Sequence, residues 1–462
     1  MIIDRHIGLY TDLYELTMAQ GFYLMGQGDK PAVFDYFFRK SPFGGSFAIF
    51  AGLDDLLELI ENFRYDSEDI EYLRKIGFRQ DFLNYLKNFR FTGDIYSVAE
   101  GEVVFPYEPL FRVHAPLIEA QILETIVLNI LNFETLIATK AARMKIASKG
   151  KMVIDFGLRR AQGLGGIHAS KAAVIGGAET TSNVYSSMLF GLTPAGTMAH
   201  SWIQSFDSEY EAFKTFADIY QDKTVLLLDT YDTLKSGVLN AVKVGKYLES
   251  LGKRLLGVRL DSGDLLTLSK ACRKILDENG LGYVKIVASN MLDEYRIDDL
   301  VQKGAPIDIF GVGTNLVVGR SDAALDGVYK LISIDGVPKM KISNDPEKIL
   351  LPGVKNIIRY YDENGLFKKD LVVLEEKLKD QGEAEEILLK PVLSSGKRIH
   401  TRKPVKRIAE YAKSRLEKLP DYLKNIYKTQ VYNVSVCNSV LNLRNSMIKS
   451  LAGGFDESSS DS

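Results

Sequence analysis

Between Met152 and Gly311 the chain repeats one arrangement: a short apolar run closing on a small, polar or charged residue, then room for a helix and two loops. The runs are Met152–Asp155, Ala172–Gly176, Ala195–Ala199, Thr224–Asp229, Leu255–Arg259, Val284–Ser289 and Ile307–Gly311, with starts 20 to 31 residues apart. Hairpin strands would follow one another much more closely. Parallel strands need a crossover of this size. The pattern predicts an α/β fold, an irregular parallel (β/α) barrel of about seven units, with an open doubly wound sheet as the alternative.

The flanks read differently. Asp12 with Glu15 three positions on predicts a capped helix start. Residues 32–38, 94–98, 102–105 and 110–113 read as strands, and Pro106, Pro109 and Pro116 oppose helix there. A long helix or helix pair is predicted from Leu117 to Ser148. Residues 327–334, 340–342 and 356–360 are again strand-like, and an amphipathic helix starts at Val405 with Ile408, Ala412, Leu416 and Leu419 on one face. The expected organisation is an N-terminal part of an α/β sandwich lobe over 1–116 and a barrel domain over 117–325. The late part of the lobe spans 326–400, and a helical segment with an acidic tail spans 401–462.

Composition narrows the function classes. Against 60 acidic residues the 462-residue chain sets 58 Lys and Arg, a net charge of −2, so it lacks the basic field that nucleic-acid or anionic-membrane binding uses. Two cysteines, Cys272 and Cys437, exclude a disulfide scaffold and a Cys-rich zinc site. The charged N-terminus is unlike a signal peptide, and Glu119, Glu124, Asn129 and Asn132 interrupt the most apolar stretch. A cytoplasmic, soluble protein is expected.

In a parallel barrel the groups that carry chemistry sit at the carboxyl ends of the strands. Here those ends carry Asp155 to Arg160, Glu179 to Asn183, His200, Asp229 to Asp232, Arg259 to Asp264, Ser289 with Asn290, and Gly311 to Thr314. Such a mouth suits an anionic substrate with hydroxyls, held by Arg at its charge, by Asp at a diol and by backbone N–H groups at a phosphate. Single members have plainer readings: Asp232 and Asp264 can be helix caps, and Arg160 a surface ion pair. His6, His114, His168 and His400 lack a supporting motif. No zinc spacing, nucleophile elbow or Walker loop is present.

Seven ordered segments then carry a resemblance: Thr11–Ala19, Phe37–Gly45, Asp155–Arg160, Gly196–Trp202, Asp229–Thr233, Arg259–Asp264 and Phe310–Thr314. Over about residues 10 to 360 the chain resembles nicotinate phosphoribosyltransferases. The resemblance implies a homodimer that joins nicotinate to 5-phosphoribosyl 1-diphosphate in NAD biosynthesis, coupled to ATP through a phosphohistidine, with Mg²⁺ on the diphosphate. His200 is then the phosphorylated residue. Phe156 and the partner subunit's Tyr14 sandwich the pyridine ring, and Arg159 lies beside its carboxylate. Asp261 binds the ribose, and Asp229 acts near the ring nitrogen or orients His200. Arg39 from the partner, with Lys341, Lys348 and Lys355, meets phosphates, as do Gly313 and Thr314 through N–H groups.

Thr197, Arg259, Ser289 and Asn290 complete the substrate-binding set, and no protein ligand is assigned to the metal. Nicotinamide-using relatives place an Asp where Ser182 falls here, which favours an anionic ring substituent. Glu179, three residues away, is the competing acid, and Asn315 departs from the further glycines of relatives. A nicotinamide- or quinolinate-type transferase is the alternative enzyme. A non-catalytic nucleotide-binding sensor is the alternative of another class.

Overall fold

The structure, a computed structural model, describes residues 5–342, 350–381 and 386–457. It divides into two compact units, one of Met1–Leu136, Ala324–Lys403 and Tyr411–Ser462, the other of Ile137–Ala323 and Pro404–Glu410.

In the first unit, strand Pro31–Phe38 pairs antiparallel with Gly327–Ile334 on one side and Phe111–Pro116 on the other. Asp94–Ser97 pairs with Phe111–Pro116 and with Lys390–Ser394. A second sheet sets Lys355–Tyr361 beside Phe367–Leu374. Phe34, Phe38, Ile95 and Phe111 of the first sheet pack with Leu56, Phe63 and Phe82 from the helical segment into the core of this unit, which fits the β-branched and aromatic content of these strands. One polar cluster is buried with them. Arg359 donates to Asp370 and Glu102, and Arg415 donates to Glu102 at 2.8 Å.

The predicted capping box at Asp12 does not form. Helix Leu13–Leu24 starts there, but the Asp12 side chain makes no cap hydrogen bond. Glu15 turns inward instead and accepts from Thr11 Oγ1 at 2.6 Å and from the Thr125 N–H at 2.8 Å. Residues 340–342 are not a strand; Val337–Pro338 pairs with the end of Gly327–Ile334 in their place. The predicted helix pair is Leu117–Ile122 followed by Glu124–Ala147. By length and composition this stretch could cross a membrane, but 67% of its most apolar window is buried within the fold, as in a core helix.

The second unit holds a six-stranded parallel sheet. Its strands are β1 (Met152–Asp155), β2 (Thr180–Thr181), β3 (Val225–Leu227), β4 (Gly257–Leu260), β5 (Lys285–Ser289) and β6 (Ile309–Val312), in the order β2-β1-β6-β5-β4-β3. Five of the seven predicted runs form strands. Ala172–Gly176 does not: it ends the helix Gly165–Ile175, which is buried from Gly166 to Ile175 except at His168. A helix enclosed on all sides shows the unbroken apolar run of a buried strand, and small alanines suit its close packing. Ala195–Ala199 is not a strand either. Its Ala195 N–H donates to Thr181 O at 3.0 Å and Thr197 Oγ1 donates to Val225 O at 2.5 Å, so it reaches from edge strand β2 to edge strand β3 without a regular ladder.

Candidate active site

The strand ends of the second unit surround a cavity of about 810 Å³. Phe156, Arg159, Ser182, Thr197, His200, Arg259, Asp261, Ser289, Asn290, Gly313 and Thr314 all line it, as do Arg160 and Met291. Residues from five strand ends, those of β1, β2, β4, β5 and β6, and the 195–200 segment are thus brought together.

At β1 the turn is fixed from below. Asp155 is buried, and its carboxylate accepts from the Gly157 N–H at 2.8 Å, Thr181 Oγ1 at 2.7 Å and Ser170 Oγ at 2.9 Å. Burial raises its pKa, and these hydrogen bonds oppose the rise. The Phe156 ring then lies over Gly311, where an added Cβ would come within 2.5 Å of Cδ2 and Cε2. Gly157 is equally constrained, since a Cβ there would stand 2.0 Å from Val317 Cγ1. Asp155 and Gly311 appear in the sequence motifs, but their support of Phe156 depends on pairing between β1 and β6 and could not be read there.

At β4 the period of two does the positioning. Arg259 and Asp261 face the mouth while Val258 and Leu260, which alternate with them along the strand, are fully buried. Asp261 Oδ1 accepts from Ser289 Oγ at 2.5 Å, and its Oδ2 lies 3.9 Å from both an Arg259 guanidinium nitrogen and His200 Nε2. Burial lowers the Arg259 pKa, which Asp261 and Asp229 raise in turn; a guanidinium stays charged through such a shift.

His200 opens the helix His200–Gln204. The contact expected between it and Asp229 is not made. His200 Nδ1 stands 3.1 Å from Thr230 Oγ1, and its nearest carboxylate is Asp261. Asp229 instead ties two strand ends together: its Oδ2 accepts from the Asp261 N–H at 2.9 Å and Ser262 Oγ at 2.5 Å. Its Oδ1 is buried without a hydrogen-bond partner among the described residues. Thr230, next to a motif aspartate, is the partner of His200 that the sequence reading missed. Asp232 and Asp264 cap the helices that follow them, as their plainer reading held.

Glu179, the rival acid near Ser182, is engaged elsewhere. It pairs with Lys145 and accepts from the Val153 N–H at 2.7 Å. Ser182 is therefore the cavity-lining residue of the two, and it is neutral.

Tyr14, Arg39, Lys341 and Lys355 belong to the first unit. Tyr14 is 44% exposed on its helix, and Lys341 is exposed. Arg39 and Lys355 line a smaller cavity with Asp35 and Tyr107. Lys355 is buried there, 2.9 Å from Asp35 and donating to Gly353 O at 2.7 Å; burial lowers its pKa against the pull of Asp35. Lys348 lies outside the described residues.

Comparison with known proteins decides the family. Residues 9–132 match the nicotinate phosphoribosyltransferase N-terminal domain, 152–380 the nicotinate phosphoribosyltransferase family and 380–444 the C-terminal domain. The chain belongs to the nicotinate phosphoribosyltransferase family. It is an enzyme of this type. A nicotinate phosphoribosyltransferase of Mycobacterium tuberculosis is 43% identical over 450 residues, 96% of this chain and 94% of the relative. That of Bacillus subtilis is 43% identical over 388 residues, covering 82% and 78%. The crystal structure of human nicotinic acid phosphoribosyltransferase superposes with a TM-score of 0.84 at 29% identity, covering 94% of this chain and 99% of that one. Nicotinate-nucleotide pyrophosphorylase from Pyrococcus furiosus gives 0.74 at 25% identity, covering 90% and 97%.

Proposed function

We propose that this phosphoribosyltransferase joins nicotinate to 5-phosphoribosyl 1-diphosphate in NAD salvage, giving nicotinate mononucleotide and diphosphate. The observation that carries the reading is the convergence of Phe156, Arg159, Ser182, His200, Arg259 and Asp261 on one cavity at the carboxyl ends of parallel strands. The bond from the anomeric carbon to diphosphate breaks as the bond to the ring nitrogen forms. The transition state is oxocarbenium-like, so it calls for charge and positioning rather than a protein nucleophile.

Phe156 offers one face for the pyridine ring, and in a homodimer the partner subunit's Tyr14 offers the other. Arg159 pairs with the carboxylate, and neutral Ser182 admits it. Asp261, its Oδ1 held by Ser289, accepts the ribose hydroxyls, while Gly313 and Thr314 receive the 5-phosphate on backbone N–H groups. Asn290, Thr197 and Arg259 line the path, and Asp229 holds the Asp261 backbone in register. Arg39 of a second copy, with Lys341, Lys348 and Lys355, supplies charge for the remaining phosphates. The 195–197 bridge between β2 and β3 supports closure of the sheet into an irregular barrel.

Mg²⁺ fits as a counter-ion of the diphosphate: Asp229 and Asp261 are oxygen donors of the right kind, and Asp229 Oδ1 is unpartnered among the described residues. No group of three potential ligands converges at this mouth among those residues. When bound, the ion neutralises charge on the leaving oxygens.

ATP is the co-substrate. Its γ-phosphoryl group moves to an imidazole nitrogen of His200, the P–O bond to ADP breaking as the P–N bond forms, and water later releases phosphate. Thr230 and Asp261 orient the ring and stabilise its charge. Initial rates with nicotinate, nicotinamide and quinolinate test the substrate, with nicotinate expected to be preferred; a preference for nicotinamide refutes it. Labelled ATP tests the coupling: acid-labile label on the wild type, absent from H200A, is expected, and no label on the wild type refutes it.

A further inference from the structure

Two consecutive residues at the end of β5 hold left-handed backbone conformations, Asn290 with φ 84° and Met291 with φ 50°. Asn tolerates this region; Met does so at a cost, because its Cβ crowds the carbonyl. Both line the cavity, so something must hold the turn there.

Asn315 is the group that does so. It is 4% exposed in the short helix Thr314–Val317 that follows β6. Its Nδ2 donates to Met291 O at 3.2 Å and to Leu292 O at 3.1 Å, while its Oδ1 has no hydrogen-bond partner among the described residues. Both donor hydrogens thus go to the strained turn, and the buried amide gives up a partner for its oxygen. The β5 and β6 turns are stapled into one wall.

We infer that Asn315 is a positioning residue for phosphoribosyl diphosphate, acting through the Asn290–Met291 turn. The sheet order supplies the substrate assignment, which rests on the proposed function. Phe156, Arg159 and Ser182, given to the pyridine ring, follow β1 and β2; Asp261, given to the ribose, follows β4. The stapled turns of β6 and β5 stand between them, beside the sugar phosphate. The hydrogen bonds of the Asn315 side chain go to the 291–292 backbone and not to the ring-binding or diol-binding side chains.

Steady-state kinetics of N315A, N315D, M291G, N315A/M291G and G313A on the full-length enzyme test this. N315A and N315D are expected to raise KM for phosphoribosyl diphosphate about tenfold, as for loss of a buried hydrogen-bonding group, with KM for nicotinate changed less than about twofold. Glycine takes positive φ without strain, so the N315A effect should shrink to about threefold or less in the M291G background. Equal shifts in both KM values, or a lowered Tm and kcat with KM unchanged, overturn the inference. So does an N315A effect that multiplies in full with M291G. G313A is the separate control: if it leaves KM for phosphoribosyl diphosphate unchanged, the phosphate assignment fails, whereas the 315–291 coupling is read independently.

Discussion

Gly311→Ala should disable the enzyme through a ring it does not itself bear. A Cβ at 311 would sit 2.5 Å from Phe156 Cδ2 and Cε2, whereas carbon atoms pack at about 3.5–4.0 Å. The ring must therefore retreat by about 1 Å or rotate off its rotamer, since the other side of the contact is a central strand paired with β1 and β5. Overpacking of this kind costs about 1–3 kcal/mol of stability, and a reacting group misplaced by about 1 Å costs about 100-fold in rate. Initial-rate kinetics should show kcat/KM for nicotinate falling about 100-fold, while the folded protein survives with a Tm lowered by a few degrees. The decisive construction is the double variant. Once Phe156→Ala has removed the ring, Gly311→Ala should cost little more, because its clash has gone. If the two losses multiply, or if G311A retains kcat/KM within about threefold of wild type, the Phe156 platform is not what the reaction uses.

Ser182→Asp should place an acid beside the ring substituent, raising KM for nicotinate about tenfold, equivalent to about 1.4 kcal/mol, and narrowing its advantage over nicotinamide in a rate comparison. Arg359→Met should leave Asp370 and Glu102 short of their buried partner and destabilise the fold by about 3–5 kcal/mol, measured by urea unfolding. Burial raises the Glu15 carboxyl from 4.5 to about 7, against the hydrogen bonds from Thr11 and Thr125. Its raised native pKa contributes stability that is complete below pH 4.5 and lost as pH rises through 7, about 3 kcal/mol at the upper limit. Unfolding of Glu15→Gln between pH 5 and 8 should lack that part of the decline seen in the wild type.

Much of the mouth could be read from the chain because strand-end chemistry is local. A strand that ends on Arg259-Leu260-Asp261 aims residues two apart at the same side, so the pair is legible as soon as the strand is. The two misread runs failed for the opposite reason. Gly165–Ile175 is buried almost throughout, so it shows no amphipathic period; Ala195–Ala199 reaches both edge strands through single hydrogen bonds that no local pattern encodes.

The amino-acid sequence by itself determined the chemical inventory: arginines, aspartates and glycines at the ends of parallel strands, and one histidine opening a short helix, in the order of one enzyme family. Only the tertiary structure decided which of them meet. It set Asp261 and Thr230, rather than Asp229, beside His200. It turned Glu179 to Lys145 and left Ser182 on the cavity, and it joined Asn315 to Met291, 24 residues away. Each outcome depends on which side-chain oxygen or amide finds a partner across neighbouring strands. That choice is settled by register and packing between segments far apart in the chain, where residue type alone carries no direction.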